Sequence, residues 1–325
     1  MPRILLVKTS SMGDVIHNLP VIADIRAHHP KAIFDWVVEE NFSDIPALHP
    51  DVNLVIPVAI RRWRRHLLAK ATWQEMKAFK SQLGVQSYDF ILDTQGLIKS
   101  AIISKLAKGS RHGQNKQSAR EPLAARFYQH QHDSARNQHA VSRNRELAAL
   151  ALAYPVPTNL PDYGLPAAEL AASTQTNMTL PQDYVMGLHA TSRDSKLWPI
   201  AHWVTLGQYL SQQELTLLLP WATEAELDRA KAIAQKVPKA MILPKLGLAR
   251  LSAIIARAKA AVGVDTGLAH LAVALKRPTI AIYTDTDPSL TGIYPGENTV
   301  AINLGGKSIS TSPQEVIAVL TPIIS

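Results

Sequence analysis

No cysteine occurs anywhere in the 325 residues. Its absence excludes disulfide stapling, cysteine-ligated zinc, iron–sulfur clusters and thiol nucleophiles together, and agrees with a reducing compartment. Long apolar runs are missing as well. The run Ile4–Val7 is shorter than the apolar core of a secretion signal and gives way at once to Lys8-Thr9-Ser10-Ser11. The least polar later stretch, 260–275, carries Asp265 and His270 and falls short of the ~20 apolar residues that span a membrane. A soluble, cytoplasmic chain is the expectation. Neither a Walker A loop nor a GxGxxG fingerprint is present, and none of the twelve histidines forms an H-E-x-x-H pair. Aromatic residues make up only 6%, and few are interleaved with basic ones, which argues against a nucleic-acid surface built on base stacking.

What is present describes a globular protein. With 46% hydrophobic and 18% charged residues the chain can bury cores, and its length suits two domains of roughly 150 residues each. The net charge of +8 is unevenly placed: residues 1–155 hold 21 Lys and Arg against 13 Asp and Glu, whereas 156–325 hold 13 of each. The cut coincides with a proline-rich stretch (Pro155, Pro157, Pro161, Pro166). We therefore place one domain at 1–155, a linker at 156–182, a second domain at 183–311 and a closing helix at 312–325. A basic half calls for a polyanionic partner: nucleic acid, an anionic membrane surface or a phosphorylated ligand. Its densest cluster is Arg61-Arg62-Trp63-Arg64-Arg65-His66, in which the arginines offer bidentate donors and Trp63 a flat face for a sugar or for anchoring at lipid level.

Short β-branched runs alternate with helical patterns. Strands are predicted at 4–7, 34–38, 52–58 and 90–92, then at 184–188, 215–219, 240–243, 260–264 and 279–283. Helices are predicted at 72–83, 97–106, 202–210, 225–235, 251–258 and 268–275. Capping signals at Thr223-Glu224-Ala225-Glu226 and Ser312-Pro313-Gln314-Glu315 fix two further helix starts. Such βαβ arithmetic gives an α/β fold of two doubly wound, Rossmann-like domains with parallel sheets, whose ligands gather outside the carboxyl ends of the strands.

Three loops at such strand ends carry chemistry. Lys8-Thr9-Ser10-Ser11-Met12-Gly13-Asp14 precedes a helical pattern through Val15, Leu19 and Ile22. Ser10, Ser11 and Gly13 suit an anion at a helix N-terminus, while Asp14 is either a cap or a base that takes a proton from a hydroxyl. In Val264-Asp265-Thr266-Gly267-Leu268-Ala269-His270, Asp265 and Thr266 fall at a cap, Gly267 admits close approach and His270 lies one turn on, so the helix start suits a pyrophosphate. In the segment 189–199, Thr191 and Ser192 supply hydroxyls and Lys196 a cation for a leaving phosphate. Asp285-Thr286-Asp287 has D-x-D spacing but no second carboxylate cluster, so no metal is assigned.

Taken together, K-T-S-S-M-G-D, F-D-W-V-V-E-E, V-I-P-V-A-I-R-R-W-R, A-R-E-P-L-A and V-D-T-G-L-A-H closely resemble the lipopolysaccharide heptosyltransferases, a glycosyltransferase family. The resemblance spans nearly the whole chain. It implies a GT-B fold, two Rossmann-like domains facing each other across a cleft, and an inverting enzyme that needs no metal and no cofactor. The implied donor is ADP-L-glycero-D-manno-heptose, held mainly on the second domain. The implied acceptor is the first Kdo of Kdo2-lipid A, held on the first domain at the cytoplasmic face of the inner membrane, with no nucleic acid involved. Residue by residue it makes Asp14 the general base and Lys196 a catalytic cation. Ser10, Ser11, Gly13, Thr191, Ser192, Glu226, Asp265, Thr266, Gly267 and His270 line the nucleotide-sugar side, with Glu226 at the ribose, and Arg61, Arg62, Arg64 and Arg120 grip the acceptor. The chain departs from the family pattern in lacking a Gly-Pro after Tyr283 and in having Leu246 in place of a methionine. Two other readings are a heptosyltransferase acting on an already heptosylated acceptor and, more remotely, a basic nucleic-acid-binding protein.

Overall fold

The computed structural model describes residues 1–172 and 178–325 and divides into two compact units, Met1–Gly164 and Leu165–Ser325. Unit 1 runs β1 (Arg3–Val7), α1 (Met12–Ile16), α2 (Pro20–His28), β2 (Ile33–Glu39), α3 (Asp44–Ala47), β3 (Val52–Val58), α4 (Ile60–Trp63), α5 (Lys70–Val85), β4 (Ser87–Asp93), α6 (Ile98–Leu106), β5 (Lys108–Gln114), β6 (His130–His132) and α7 (Ala140–Leu152). Unit 2 runs α8 (Ala167–Ala172), β7 (Tyr184–Leu188), α9 (Ile200–Gln212), β8 (Thr216–Leu219), α10 (Glu224–Ala234), β9 (Ala240–Ile242), α11 (Leu248–Arg257), β10 (Ala260–Val264), α12 (Gly267–Ala274), β11 (Thr279–Tyr283), α13 (Pro288–Thr291), β12 (Ala301–Gly305) and α14 (Pro313–Ile324).

Each unit contains one six-stranded parallel sheet, ordered β3-β2-β1-β4-β5-β6 and β12-β11-β10-β7-β8-β9. Counted from the first strand of each unit, both follow the doubly wound order in which chain direction across the sheet reverses between the first and fourth strands. Those reversal points lie at β1/β4 and at β7/β10. The central parts of β1, β7 and β10 are apolar because helices cover both faces: Ile4–Val7, Val185, Met186, Ala261, Val262 and Val264 are all fully buried, while β4 is apolar mainly at Ile91 and Leu92.

Two sequence expectations need correction. The helical pattern through Val15, Leu19 and Ile22 is two helices, because Pro20 has no N–H to continue α1 and instead starts α2. The proposed linker 156–182 is divided between the units: its residues up to Gly164 belong to unit 1, and α8 packs against α11 in unit 2; residues 173–177 lie outside the described residues. The closing helix expected at 312–325 is α14, which puts Val316, Leu320 and Ile324 in the unit 2 core around Trp198 and Trp203. No described helix is long and apolar enough to cross a membrane.

Two buried histidines make stability depend on pH. His49 Nδ1 accepts the Asp51 amide, which requires the neutral ring; His189 Nε2 donates to the Pro220 carbonyl, and burial together with the Arg229 charge holds this ring neutral. Burial lowers both from 6.5 to about 4. The unfolded chain binds protons near pH 6.5 and the folded chain does not, so the stabilisation is complete above 6.5 and is lost as the pH falls towards 4. Scanning calorimetry should give a Tm that falls steadily from pH 7 to pH 4.5, with a shallower fall in His49→Gln.

Candidate active site

In unit 1 the loop after β1 is built from its neighbours across the chain reversal. Gln95, just beyond β4, accepts the Thr9 and Ser10 amides through Oε1 (2.9 and 3.1 Å) and donates Nε2 to the Ser10 carbonyl (2.6 Å). Asp93, at the end of β4, accepts the Gln95 and Gly96 amides and the Tyr128 hydroxyl, and burial raises its pKa. The turn needs Gly96, whose φ of 65° lies in the left-handed region. Lys8 is buried, with Nζ donating to the Thr94 carbonyl (2.6 Å) and Asn144 Oδ1 (3.3 Å). Desolvation brings its pKa down to about 8, against the pull of Asp14.

On this rigid base sits Asp14, the third residue of α1. Its Oδ2 accepts both the amide (2.8 Å) and the hydroxyl (3.1 Å) of Ser11. Capping and a proton-accepting role are therefore compatible, since the cap fixes the carboxylate through one oxygen. Gly13 lies in the first turn of α1 and Ser10 Oγ accepts from Lys99 Nζ (3.0 Å). Arg143 feels Asp14 together with Arg136 and Arg120, and its own pKa is lowered chiefly by burial. Ser10, Ser11, Gly13 and Asp14 are thus brought together with Arg120 and Arg143 nearby in potential.

The arginine block is not uniform. Arg61 donates its amide to buried Glu39 (2.8 Å) and lays its guanidinium over Phe42 (5.3 Å). Arg62 is clamped by Glu40 (Nε and Nη2, 3.0 Å each) and Glu75 (Nη1), which raises its pKa; it braces α4 and has little left for an anionic ligand. Arg64 is exposed. Trp63 is no free surface, contrary to the sequence reading: it is buried, edge-on to Phe79 (5.8 Å), with Nε1 donating to Glu75 (2.7 Å).

In unit 2, Asp265 at the end of β10 organises the loops of three strands. Its Oδ2 takes Lys196 Nζ and the Thr286 hydroxyl, both at 2.6 Å, and its carbonyl takes Thr191 Oγ1 (2.8 Å). Ser195 Oγ donates to Asp285 and Thr284 Oγ1 to the Ser195 carbonyl, both at 2.7 Å. The segment where the family's Gly-Pro is missing thus fastens the Lys196 loop, and Asp287 caps α13 through Ser289. Thr266 is the N-cap of α12 but makes no side-chain cap; the Ala269 amide turns back to the Thr266 carbonyl (3.1 Å), and His270 is buried one turn in. Ser192 is exposed. Arg229 on α10 donates to the carbonyls of His189 and Trp198, holding both ends of the same loop. Glu226 stands apart, with Oε2 capping α10 at Ala222 (2.7 Å) and Thr223.

A family model described as glycosyltransferase family 9 (heptosyltransferase) matches residues 76–316. The chain belongs to this family. Lipopolysaccharide heptosyltransferase 1 of Escherichia coli (strain K12) is 45% identical over 312 residues, which cover 93% of this chain and 96% of that protein. The solved E. coli heptosyltransferase WaaC with ADP superposes with a TM-score of 0.90 at 42% identity, covering 99% of each chain. The same enzyme with ADP-2-deoxy-2-fluoro heptose gives 0.88 at 41%, covering 98% of this chain and 99% of that one. This heptosyltransferase-family chain is accordingly a glycosyltransferase of the GT-B class, with two doubly wound α/β units.

Sequence reasoning overlooked Gln95, Lys99, Arg143, Arg229 and Thr286. Gln95 and Arg229 act on backbone atoms far away in sequence, and no local pattern marks such contacts. Arg143 was visible only as one charge among the ten Lys and Arg between Lys99 and Arg145.

Proposed function

We propose that this family 9 enzyme transfers L-glycero-D-manno-heptose from ADP-heptose to the first Kdo of Kdo2-lipid A, with inversion at the anomeric carbon, in lipopolysaccharide core synthesis. The observation that carries the reading is the 45% identity, over almost the entire chain, to lipopolysaccharide heptosyltransferase 1. The two loop clusters supply the matching chemistry. On unit 1 the acceptor hydroxyl gives its proton to Asp14 Oδ1 as its oxygen attacks C1 of the heptose. On unit 2 the bond from C1 to the phosphate oxygen breaks, and ADP leaves with added negative charge on its terminal phosphate. Lys196 and the amides at the start of α12 stabilise that charge, with Thr191 and Ser192 as hydroxyl donors, a reading supported by the bonds of Lys196 and Thr191 to Asp265 just before that helix. Glu226 would meet the ribose through Oε1, its other oxygen being the cap.

The acceptor's carboxylates and phosphates suit the basic unit 1, where Arg61, Arg64 and Arg120 are exposed. Arg62 contributes by bracing α4 through Glu40 and Glu75. An acceptor already bearing heptose is the less supported alternative, because the identity is to a type 1 enzyme. Work on a lipid-borne acceptor also puts the enzyme at the cytoplasmic face of the inner membrane. The test is steady-state kinetics of Arg61→Ala and Arg120→Ala. Each should raise the acceptor KM about tenfold, the loss of one charge-assisted contact, and leave the donor KM unchanged. A shift confined to the donor KM would reverse the assignment of the two substrates to the two units.

A further inference from the structure

The segment from Leu67 to Lys80 presents a surface to which the proposed reaction assigns no residue. Leu68 is fully exposed, Leu67 is 50% exposed and Trp73 is 59% exposed, an unusual concentration of large apolar side chains in water. They are held there by a built turn: Thr72 Oγ1 donates to the His66 carbonyl and Trp73 Nε1 to the Leu67 carbonyl, both at 2.8 Å. One face of α5 continues the surface. Lys70, Trp73, Lys77 and Lys80 recur at helical spacing and are all exposed, while Thr72, Phe79 and Leu83 on the opposite face are buried. The only carboxylate between Arg61 and Lys80 is Glu75, which bonds to Arg62 and Trp63 on a different side of the helix.

From this geometry we infer that Leu67, Leu68 and Trp73 insert into the interfacial layer of an anionic phospholipid bilayer, with Lys70, Lys77 and Lys80 lying against its headgroups. An indole with one polar edge suits the level of the headgroups, adjacent leucines suit the acyl boundary, and an unopposed row of lysines suits negative surface charge. The anchor predicted for Trp63 thus belongs to Trp73. The inference rests on the lipid-borne acceptor of the proposed function and gives that enzyme its membrane-facing side.

Flotation with vesicles of phosphatidylethanolamine and phosphatidylglycerol, free of lipid A, tests it alongside turnover of a water-soluble, deacylated acceptor. The wild-type chain should float with these vesicles, weakly with pure phosphatidylcholine, and less as salt rises. The double variant Leu67→Ser/Leu68→Ser should lose about tenfold or more in partitioning, and Lys77→Glu/Lys80→Glu a comparable amount. Turnover of the soluble acceptor should stay within about twofold for both, since neither pair touches the loop clusters. Wild-type protein that does not float, or a leucine variant that floats equally well, would overturn the inference. So would a leucine variant that loses soluble-acceptor turnover, because the surface would then belong to the acceptor site. Leucine-dependent flotation without any heptose transfer would uphold the membrane surface and defeat only the enzymatic reading.

Discussion

Asp14→Asn should lower kcat by about a hundred- to ten-thousandfold, the range for loss of a positioned base, while leaving the affinity for ADP-heptose almost unchanged. The amide keeps an oxygen to accept from the Ser11 amide, so the start of α1 should survive and Tm should change little. That distinction matters, because Asp14 Oδ2 demonstrably caps the helix. If the cap were its only role, Asn would serve nearly as well, because its side-chain carbonyl can accept the Ser11 amide in the same capping box. Single-turnover rates at saturating acceptor, with donor binding measured separately, separate the two cases. A variant retaining most of its kcat would remove Asp14 from the chemistry and leave it a cap.

Lys196→Ala should cost about a hundred- to a thousandfold in kcat/KM, as expected when a preorganised charge facing a leaving group is removed. Part of any loss could arise indirectly. Lys196 and Asp265 form a 2.6 Å ion pair in which both side chains are less than one-fifth exposed. Removing the ammonium strands a carboxylate that then keeps only the Thr286 hydroxyl, a destabilisation of about 1–3 kcal/mol. A double-mutant cycle with Asp265→Asn resolves this. If Lys196 serves only to neutralise Asp265, the double variant should regain activity. If Lys196 acts on the departing pyrophosphate, the double variant should be as slow as Lys196→Ala, even where its Tm recovers.

Much of this was legible in the sequence because parallel strands at the centre of a covered sheet need apolar, β-branched residues. The runs at 184–188, 260–264 and 279–283 reappear as β7, β10 and β11 with the same bounds, and the run at 4–7 as β1, which begins one residue earlier. The strands that went unread are polar. β5 reads Lys-Gly-Ser-Arg-His-Gly-Gln and β6 only His-Gln-His, yet backbone ladders to β4 and between themselves define both. Main-chain pairing is indifferent to side-chain polarity, so an edge strand of this kind leaves no pattern. β12, an edge strand of the unit 2 sheet, reads Ala-Ile-Asn-Leu-Gly, and its two large apolar residues, Ile302 and Leu304, make too short a run to mark a strand.

The site shows the same division between local and distant information. Ser11 with Asp14, Thr223 with Glu226 and Ser312 with Glu315 interact over three residues, and their spacing marks them. The pairing of Lys196 with Asp265 spans 69 residues and that of Thr9 with Gln95 spans 86, so only the fold reveals them. Two neighbours in one arginine run illustrate the limit of composition. Arg62 is locked between two glutamates and Arg64 stands in solvent, a difference set by where α4 packs and not by residue type.

The central claim is that heptose moves from ADP-heptose to a Kdo acceptor. Its most direct test incubates the purified chain with ADP-L-glycero-β-D-manno-heptose and deacylated Kdo2-lipid A, and follows ADP release together with the acceptor's mass. The account predicts one added heptose for each ADP released. A folded protein that leaves a competent acceptor unchanged, or that adds heptose only to an acceptor already carrying one, would contradict it.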